Sequence, residues 1–287
     1  MRNILVALSL VFVIAASHAA VPKPPPAPKA PTVPSADGVP IAYEVHGSAS
    51  PALILVHCWS CDRSYWKEQI DELSPQFELV LIDLAGHGES GMGRKNYTME
   101  SFGEDVAAVV EKLDLKGVVL VGHSMGGNVV VAAAKRLRER VKGVVWVDTY
   151  KTLESRGADA DSTAFLGKMR TDFRRTTDSR VRGMFGADAD PKLVDRVAKD
   201  LASAPPAVGL SALENHFAYM REVPAILDEL KLPFAAINSD NAPTDYESLA
   251  KHGVKARVIP GIGHFIPLED PPRFNRTLSS VVRSFGQ

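Results

Sequence analysis

Short apolar runs, mostly of β-branched residues, recur along this chain with longer amphipathic stretches between them, and this alternation restricts the fold more than any other feature. The runs lie at residues 41–46, 53–56, 78–82, 118–121, 144–147, 234–237 and 256–259. Most are continuous rather than alternating, the pattern of strands buried on both faces. Between them, residues 65–73, 99–113, 126–138, 246–251 and 271–285 carry helical periodicity. Thr98 is placed to cap its helix, and Val106, Val109, Val110 and Leu113 form a buried stripe. The expected class is α/β, with a mostly parallel central sheet and helices on both faces.

Residues 150–224 break the rhythm. They hold no convincing strand and are rich in Ala, Asp and Arg, so they read as a helical lid insertion in a core made of 36–149 and 225–287. Phe165, Met169 and Phe173 sit at helical spacing, either packing onto the core or lining a pocket. Arg170, Arg174, Arg175, Arg180 and Arg182 form either a solvated face or a site for an acidic substrate.

The N-terminus has Met1 and Arg2, an apolar stretch over 4–16, and small residues Ser17 and Ala19. This is a signal-peptide pattern over 1–19 with cleavage after Ala19, implying a periplasmic or extracellular protein with no stable membrane span once the signal is removed; the alternative is an uncleaved anchor. No Cys follows the apolar run, so a lipoprotein anchor is not indicated. Residues 20–35, crowded with proline, read as a semi-rigid polyproline II linker, with the domain starting near Ala36. Cys58 and Cys61 invite a redox reading, but nothing else fits a thioredoxin-like fold; a local disulfide is the better reading if the loop turns to bring residues three apart within bonding range, and whether they are bridged is not legible in the sequence. With Lys+Arg 33 against Asp+Glu 34 and no basic face interleaved with aromatics, nucleic acid is not an expected partner. Oligomeric state is not legible.

The chemistry concentrates at 118–127, a buried run followed by Gly122-His123-Ser124-Met125-Gly126 and a helix. A strand-to-helix turn this tight needs small residues two before and two after the nucleophile. It holds the Ser124 hydroxyl above the sheet and at a helix N-terminus, where backbone N–H groups favour a developing oxyanion. A serine hydroxyl needs a general base. His264, in Pro260-Gly261-Ile262-Gly263-His264-Phe265 after the last predicted strand, is the candidate, because such a loop delivers an imidazole to the carboxyl ends of the strands.

From about residue 41 to 285 the chain resembles the α/β-hydrolase family, particularly its lid-bearing serine esterases. His57-Cys58-Trp59-Ser60 stands where the family has its H-G-x-x oxyanion loop, and Asp83-Leu84-Ala85-Gly86-His87-Gly88-Glu89-Ser90 resembles its D-x-x-G-x-G-x-S turn. The resemblance implies an oxyanion hole made by the backbone N–H groups of Trp59 and Met125. Cys58 replaces the usual glycine and would be strained if that position needs φ > 0. Family order is Ser, acid, His. Asp240, just past the run at 234–237, is the expected acid, with Asp148, past the run at 144–147, as the alternative. Asp245 is better explained as a helix cap, and Asp83 as ordering its own loop.

The expected function is hydrolysis of a small-molecule carboxylic ester through an acyl-enzyme on Ser124, with His264 and Asp240 completing the triad and with no cofactor or metal. Amide, lactone or carbon–carbon hydrolysis, or perhydrolysis, would use the same triad. A catalytically silent ligand-binding homologue is the rival from another class.

Overall fold

The computed structural model describes residues 30–154 and 159–286. Its centre is an eight-stranded sheet in the order β1-β2-β4-β3-β5-β6-β7-β8. The strands are β1 (Thr32–Pro34), β2 (Pro40–His46), β3 (Ala52–Val56), β4 (Glu78–Ile82), β5 (Val118–His123), β6 (Val141–Val147), β7 (Phe234–Ser239) and β8 (Val254–Ile259). β1 and β2 pair antiparallel at one edge, and every pairing from β4 through β8 is parallel.

The strands explain why the sequence runs looked continuous. On β3, Leu53 and Leu55 face one apolar layer and Ile54 and Val56 the other; on β5, Val119 and Val121 oppose Val118 and Leu120. Each side chain is fully buried, stabilising the fold by about 1.5–3 kcal/mol relative to exposure. The helices α1 (Lys67–Leu73), α2 (Met99–Lys112) and α3 (Met125–Leu137) alternate with the strands in the first half. The Thr98 hydroxyl accepts from Ser101 N at 3.1 Å, the expected cap of α2. α2 and α3 cover one sheet face; α1 and the C-terminal helix cover the other, through Leu73 and Phe274.

Between β6 and β7 lie α4 (Asp159–Thr171), α5 (Phe173–Arg182), α6 (Pro191–Ser203), α7 (Pro206–Tyr219) and α8 (Val223–Leu230). α8 belongs to the core by its packing, since Val223, Ile226 and Leu227 join the cluster on the α2–α3 side. α4 to α7 form the insertion. It is fastened by Trp59 Nε1 donating to Gly209 O at 2.8 Å, the Tyr65 hydroxyl donating to Asp200 at 2.6 Å, and Tyr97 N donating to the Ser211 hydroxyl at 3.0 Å. Met169 and Phe173 are buried, and Arg170 and Arg182 are paired with Glu214 and with Asp178 and Asp195. After β7 come α9 (Tyr246–Lys251), α10 (Ile266–Glu269) and α11 (Pro271–Ser284).

One boundary needs correction. The segment read as linker up to residue 35 ends in β1, where Val33 lies opposite Ile41 and is buried. Proline tolerates this position because an edge strand leaves one row of its backbone groups unpaired. The expected signal over 1–19 and the linker up to residue 29 lie outside the described residues.

Candidate active site

Ser124 sits at the turn from β5 into α3 with φ 55° and ψ −119°, a conformation that costs a non-glycine residue on the order of 1–3 kcal/mol. The surroundings enforce it. Ser124 N donates to Val147 O at 2.9 Å, tying the turn to the end of β6, and the Thr149 hydroxyl donates to Ser124 O at 3.2 Å. Gly126 is required because a Cβ there would lie 2.6 Å from His57 O and 2.7 Å from Val56 O. A Cβ on Gly122 would likewise strike the backbone of Gly126.

His264 follows β8 on a loop clamped by Glu269, whose carboxylate accepts from Gly263 N at 2.9 Å and Phe265 N at 3.1 Å. His264 N donates to Met184 O of the insertion at 2.7 Å. The imidazole Nδ1 is 2.7 Å from Asp148 Oδ2, so Nδ1 carries the proton and Nε2 is left for proton exchange. The other oxygen of Asp148 accepts from Ser239 N at 2.7 Å, the Ser239 hydroxyl at 3.0 Å and Lys151 Nζ at 2.7 Å. Burial pushes the Asp148 carboxyl up, but the hydrogen bond and charge of His264 and the Lys151 ammonium outweigh it and hold the group well below the usual carboxylate range.

Asp240 is therefore not the carboxylate that meets His264. It is exposed, and its side chain accepts from Gly261 N at 2.9 Å, shaping the start of the histidine loop. β6 and β7 are adjacent and parallel, with Val147 beside Ile237, so an acid past either strand end falls near the same loop. Asp148, at φ 48°, turns its carboxylate inward. The other candidates behave as read from the sequence. Asp245 caps α9 through Ser248 N at 3.0 Å, and Asp83 accepts from Glu89 N of its own loop while also binding Arg63 of the segment after β3.

Ser124 and His264 open onto one cavity of about 570 Å³ between the sheet and the insertion, whose walls include Trp59, Met125, Phe165 and Leu213. Among the described residues, the backbone N–H groups of Trp59 and Met125 have no protein acceptor.

The sequence model of the alpha/beta hydrolase fold family matches residues 51–208. The chain belongs to the α/β-hydrolase fold family. It is a hydrolase, and curated relatives span most of its length. It is 29% identical over 206 residues to a pimeloyl-[acyl-carrier protein] methyl ester esterase of Sodalis glossinidius, covering 68% of this chain and 77% of that one. It is 24% identical over 255 residues to 3-oxoadipate enol-lactonase 2 of Acinetobacter baylyi, covering 86% and 95%. Among solved structures, a thermophilic esterase from Thermogutta terrifontis superposes with a TM-score of 0.74 at 26% identity, covering 89% of this chain and 98% of that one.

In this α/β hydrolase the loop after β3 departs from the family sequence without strain at Cys58. The left-handed conformation falls on Ser60, at φ 57°, and Cys58 is joined to Cys61 in a disulfide with Cα atoms 5.2 Å apart. His57 anchors the loop: its Nδ1 donates to Cys58 O at 2.8 Å and its Nε2 accepts from Leu84 N at 3.1 Å, so the ring is used up structurally. Burial pulls its pKa down to about 4. His123, beside Ser124, donates from Nε2 to His264 O at 2.9 Å and links the Ser124 turn to the His264 loop. Burial, then the charge of His264, pulls its pKa down to about 3.

Sequence reasoning overlooked Lys151 and Glu269, which carry no motif, and His216, which had no partner in sequence. His216 lines the cavity, held by Asn128 one turn along α3 from Ser124. A polar Asn inside the apolar stripe of α3 is the signal that could have pointed there.

Proposed function

We propose that this hydrolase cleaves carboxylic esters, lactones included, through an acyl-enzyme on Ser124. The observation that carries the reading is the 2.7 Å contact of His264 Nδ1 with a buried aspartate, which leaves Nε2 basic in the cavity that holds a strained, presented serine. Nε2 takes the proton as the Ser124 oxygen attacks the carbonyl carbon, and Asp148 stabilises the imidazolium that forms. The oxyanion lies against the N–H groups of Met125 and Trp59. His264 then gives the proton to the departing alkoxide, and a water activated by the same nitrogen releases the acid. The ester and lactone chemistry of the two curated relatives supports this class.

In this reading α4 to α7 act as the lid that shapes the acyl pocket. The protein works outside the cytoplasm, a placement supported by the signal pattern over 1–19 and by a Cys58–Cys61 disulfide, which suits an oxidising compartment. Among the described residues, no helix is long and apolar enough to cross a membrane.

The test is a series of p-nitrophenyl esters of graded acyl length, together with labelling by a fluorophosphonate probe. Turnover and stoichiometric labelling are expected in the native protein, and neither in Ser124→Ala. A native protein that binds esters without hydrolysing them, and does not label, would mark a ligand receptor and end the proposal.

A further inference from the structure

Among the described residues lining the cavity that holds Ser124 and His264, Arg180 is the one side chain with a fixed charge. Its guanidinium lies 5.8 Å from the ring centroid of Phe165, another wall residue. Among the described residues it meets no carboxylate, whereas Arg170 and Arg182 of the same insertion are each paired. Arg180 is exposed, so its N–H donors face water at the mouth of the cavity and are free to meet a ligand.

Besides the Ser162 hydroxyl, a second polar wall group, His216, fits the same ligand chemistry. The Tyr150 hydroxyl donates to Asn128 Oδ1 at 2.6 Å, which turns the amide nitrogen toward His216, 3.0 Å from Nδ1 and 3.4 Å from the backbone oxygen. Nδ1 must therefore accept, and the ring proton sits on Nε2, which has no acceptor among the described residues. Away from Ser124 and His264, the described wall residues offer a guanidinium, the Ser162 hydroxyl and a neutral N–H donor, and no carboxylate.

Building on the ester-hydrolase reading, we propose that the preferred substrates are esters carrying a carboxylate away from the scissile bond, and that Arg180 binds that carboxylate at the cavity mouth. A guanidinium presents parallel N–H donors that match a carboxylate edge. Because the site is exposed and screened, the gain is about tenfold in kcat/KM, expressed mainly in KM.

The experiment compares the monomethyl ester of suberic acid with methyl nonanoate, followed in a pH-stat, in the native protein, Arg180→Met and Arg180→Glu. Suberate binding is measured by calorimetry on the same proteins. The preference for the charged ester over methyl nonanoate is expected to fall about tenfold in Arg180→Met and further in Arg180→Glu, with suberate binding lost. Equal preference and equal suberate binding in all three proteins would overturn the assignment while leaving ester hydrolysis standing. Arg180-dependent suberate binding without turnover of either ester would instead sustain the anion site and remove the ester reading.

Discussion

Replacing Asp148 by asparagine preserves the shape of the side chain and removes its charge, so it separates the catalytic role of this carboxylate from its packing. The native group accepts four hydrogen bonds, from His264 Nδ1, Ser239 N, the Ser239 hydroxyl and Lys151 Nζ. An amide has one accepting oxygen. If that oxygen keeps Ser239 and Lys151, the NH₂ group faces His264 Nδ1–H, donor against donor, and the ring must move its proton to Nε2. That tautomer cannot take the proton of Ser124. If the amide flips, all three donors on that side, Ser239 N, the Ser239 hydroxyl and Lys151 Nζ, lose their acceptor and face an NH₂ group.

In either orientation the imidazolium loses its counter-charge, and the expected fall in kcat is on the order of 10⁴-fold. The lost charge-assisted bonds are buried on the aspartate side, which is 2% exposed, while Lys151 keeps 20% exposure. The stability cost is therefore about 2–4 kcal/mol, measurable as a shift of the urea midpoint. Asp240→Asn weakens one exposed bond to Gly261 N and should change kcat less than about threefold, at a cost under about 1 kcal/mol. Initial rates on a p-nitrophenyl ester read the first quantity and urea unfolding the second. A large kcat loss in Asp240→Asn, with Asp148→Asn still active, would refute the assignment of the acid to the end of β6.

Ser124→Ala and His264→Ala should each abolish nearly all turnover, with the double variant little worse than either, because the pair acts as a unit; additive losses in single-turnover assays would contradict this. The buried imidazoles of His57, His87, His123 and His216 have pKa values pulled down to about 4, 3, 3 and 4, chiefly by burial. A folded value below the unfolded one of about 6.5 means that the unfolded chain takes up protons first, so stability is full above that pH and falls as pH drops toward 4, by on the order of 1–2 kcal/mol per ring at pH 5. Urea midpoints equal at pH 7.5 and 5 would contradict it. Asp148, depressed below its ordinary value, adds a further loss only below about pH 4. Opening the Cys58–Cys61 disulfide closes no long loop and should cost about 2 kcal/mol, yet kcat should fall disproportionately because Trp59 lies between the cysteines; unchanged kcat after reduction would detach the disulfide from the oxyanion loop.

The core was legible because its strands obey two constraints at once. A strand buried on both faces must be apolar at every position, as on β3 and β5, and no helix as short as these runs would need that. The serine was legible for a related reason: the approach of Gly126 to the backbone of β3, and the collision any side chain at Gly122 would make with the turn, leave so few residue types possible that the motif is almost the geometry itself. The edge was less legible. β1 is read as linker because proline signals the absence of ladder bonds, whereas an edge strand needs only half of them. α8 begins inside the interval read as lid and runs past its end at residue 224; Pro224 stands at its first turn, where proline blocks no intrahelical bond.

The acid escaped the sequence for a reason that belongs to parallel sheets in general. Strand ends that are neighbours in space are far apart in the chain, and Val147 and Ile237 sit side by side although the whole insertion separates them. A carboxylate just past either end is within reach of the same loop, so spacing to the histidine cannot choose between Asp148 and Asp240. What chooses is a set of local conditions that leave no mark in sequence: a backbone at φ 48° that turns Asp148 inward, an N–H and a hydroxyl of Ser239 to hold one oxygen, and an ammonium three residues on to pay for burying the charge. Asp240 lacks all three and remains in water, so it orders the histidine loop through a single backbone bond. The same reasoning applies to Arg180 and His216. Their importance comes from what they do not touch, and an unfilled hydrogen-bonding capacity appears only when the cavity around it is seen.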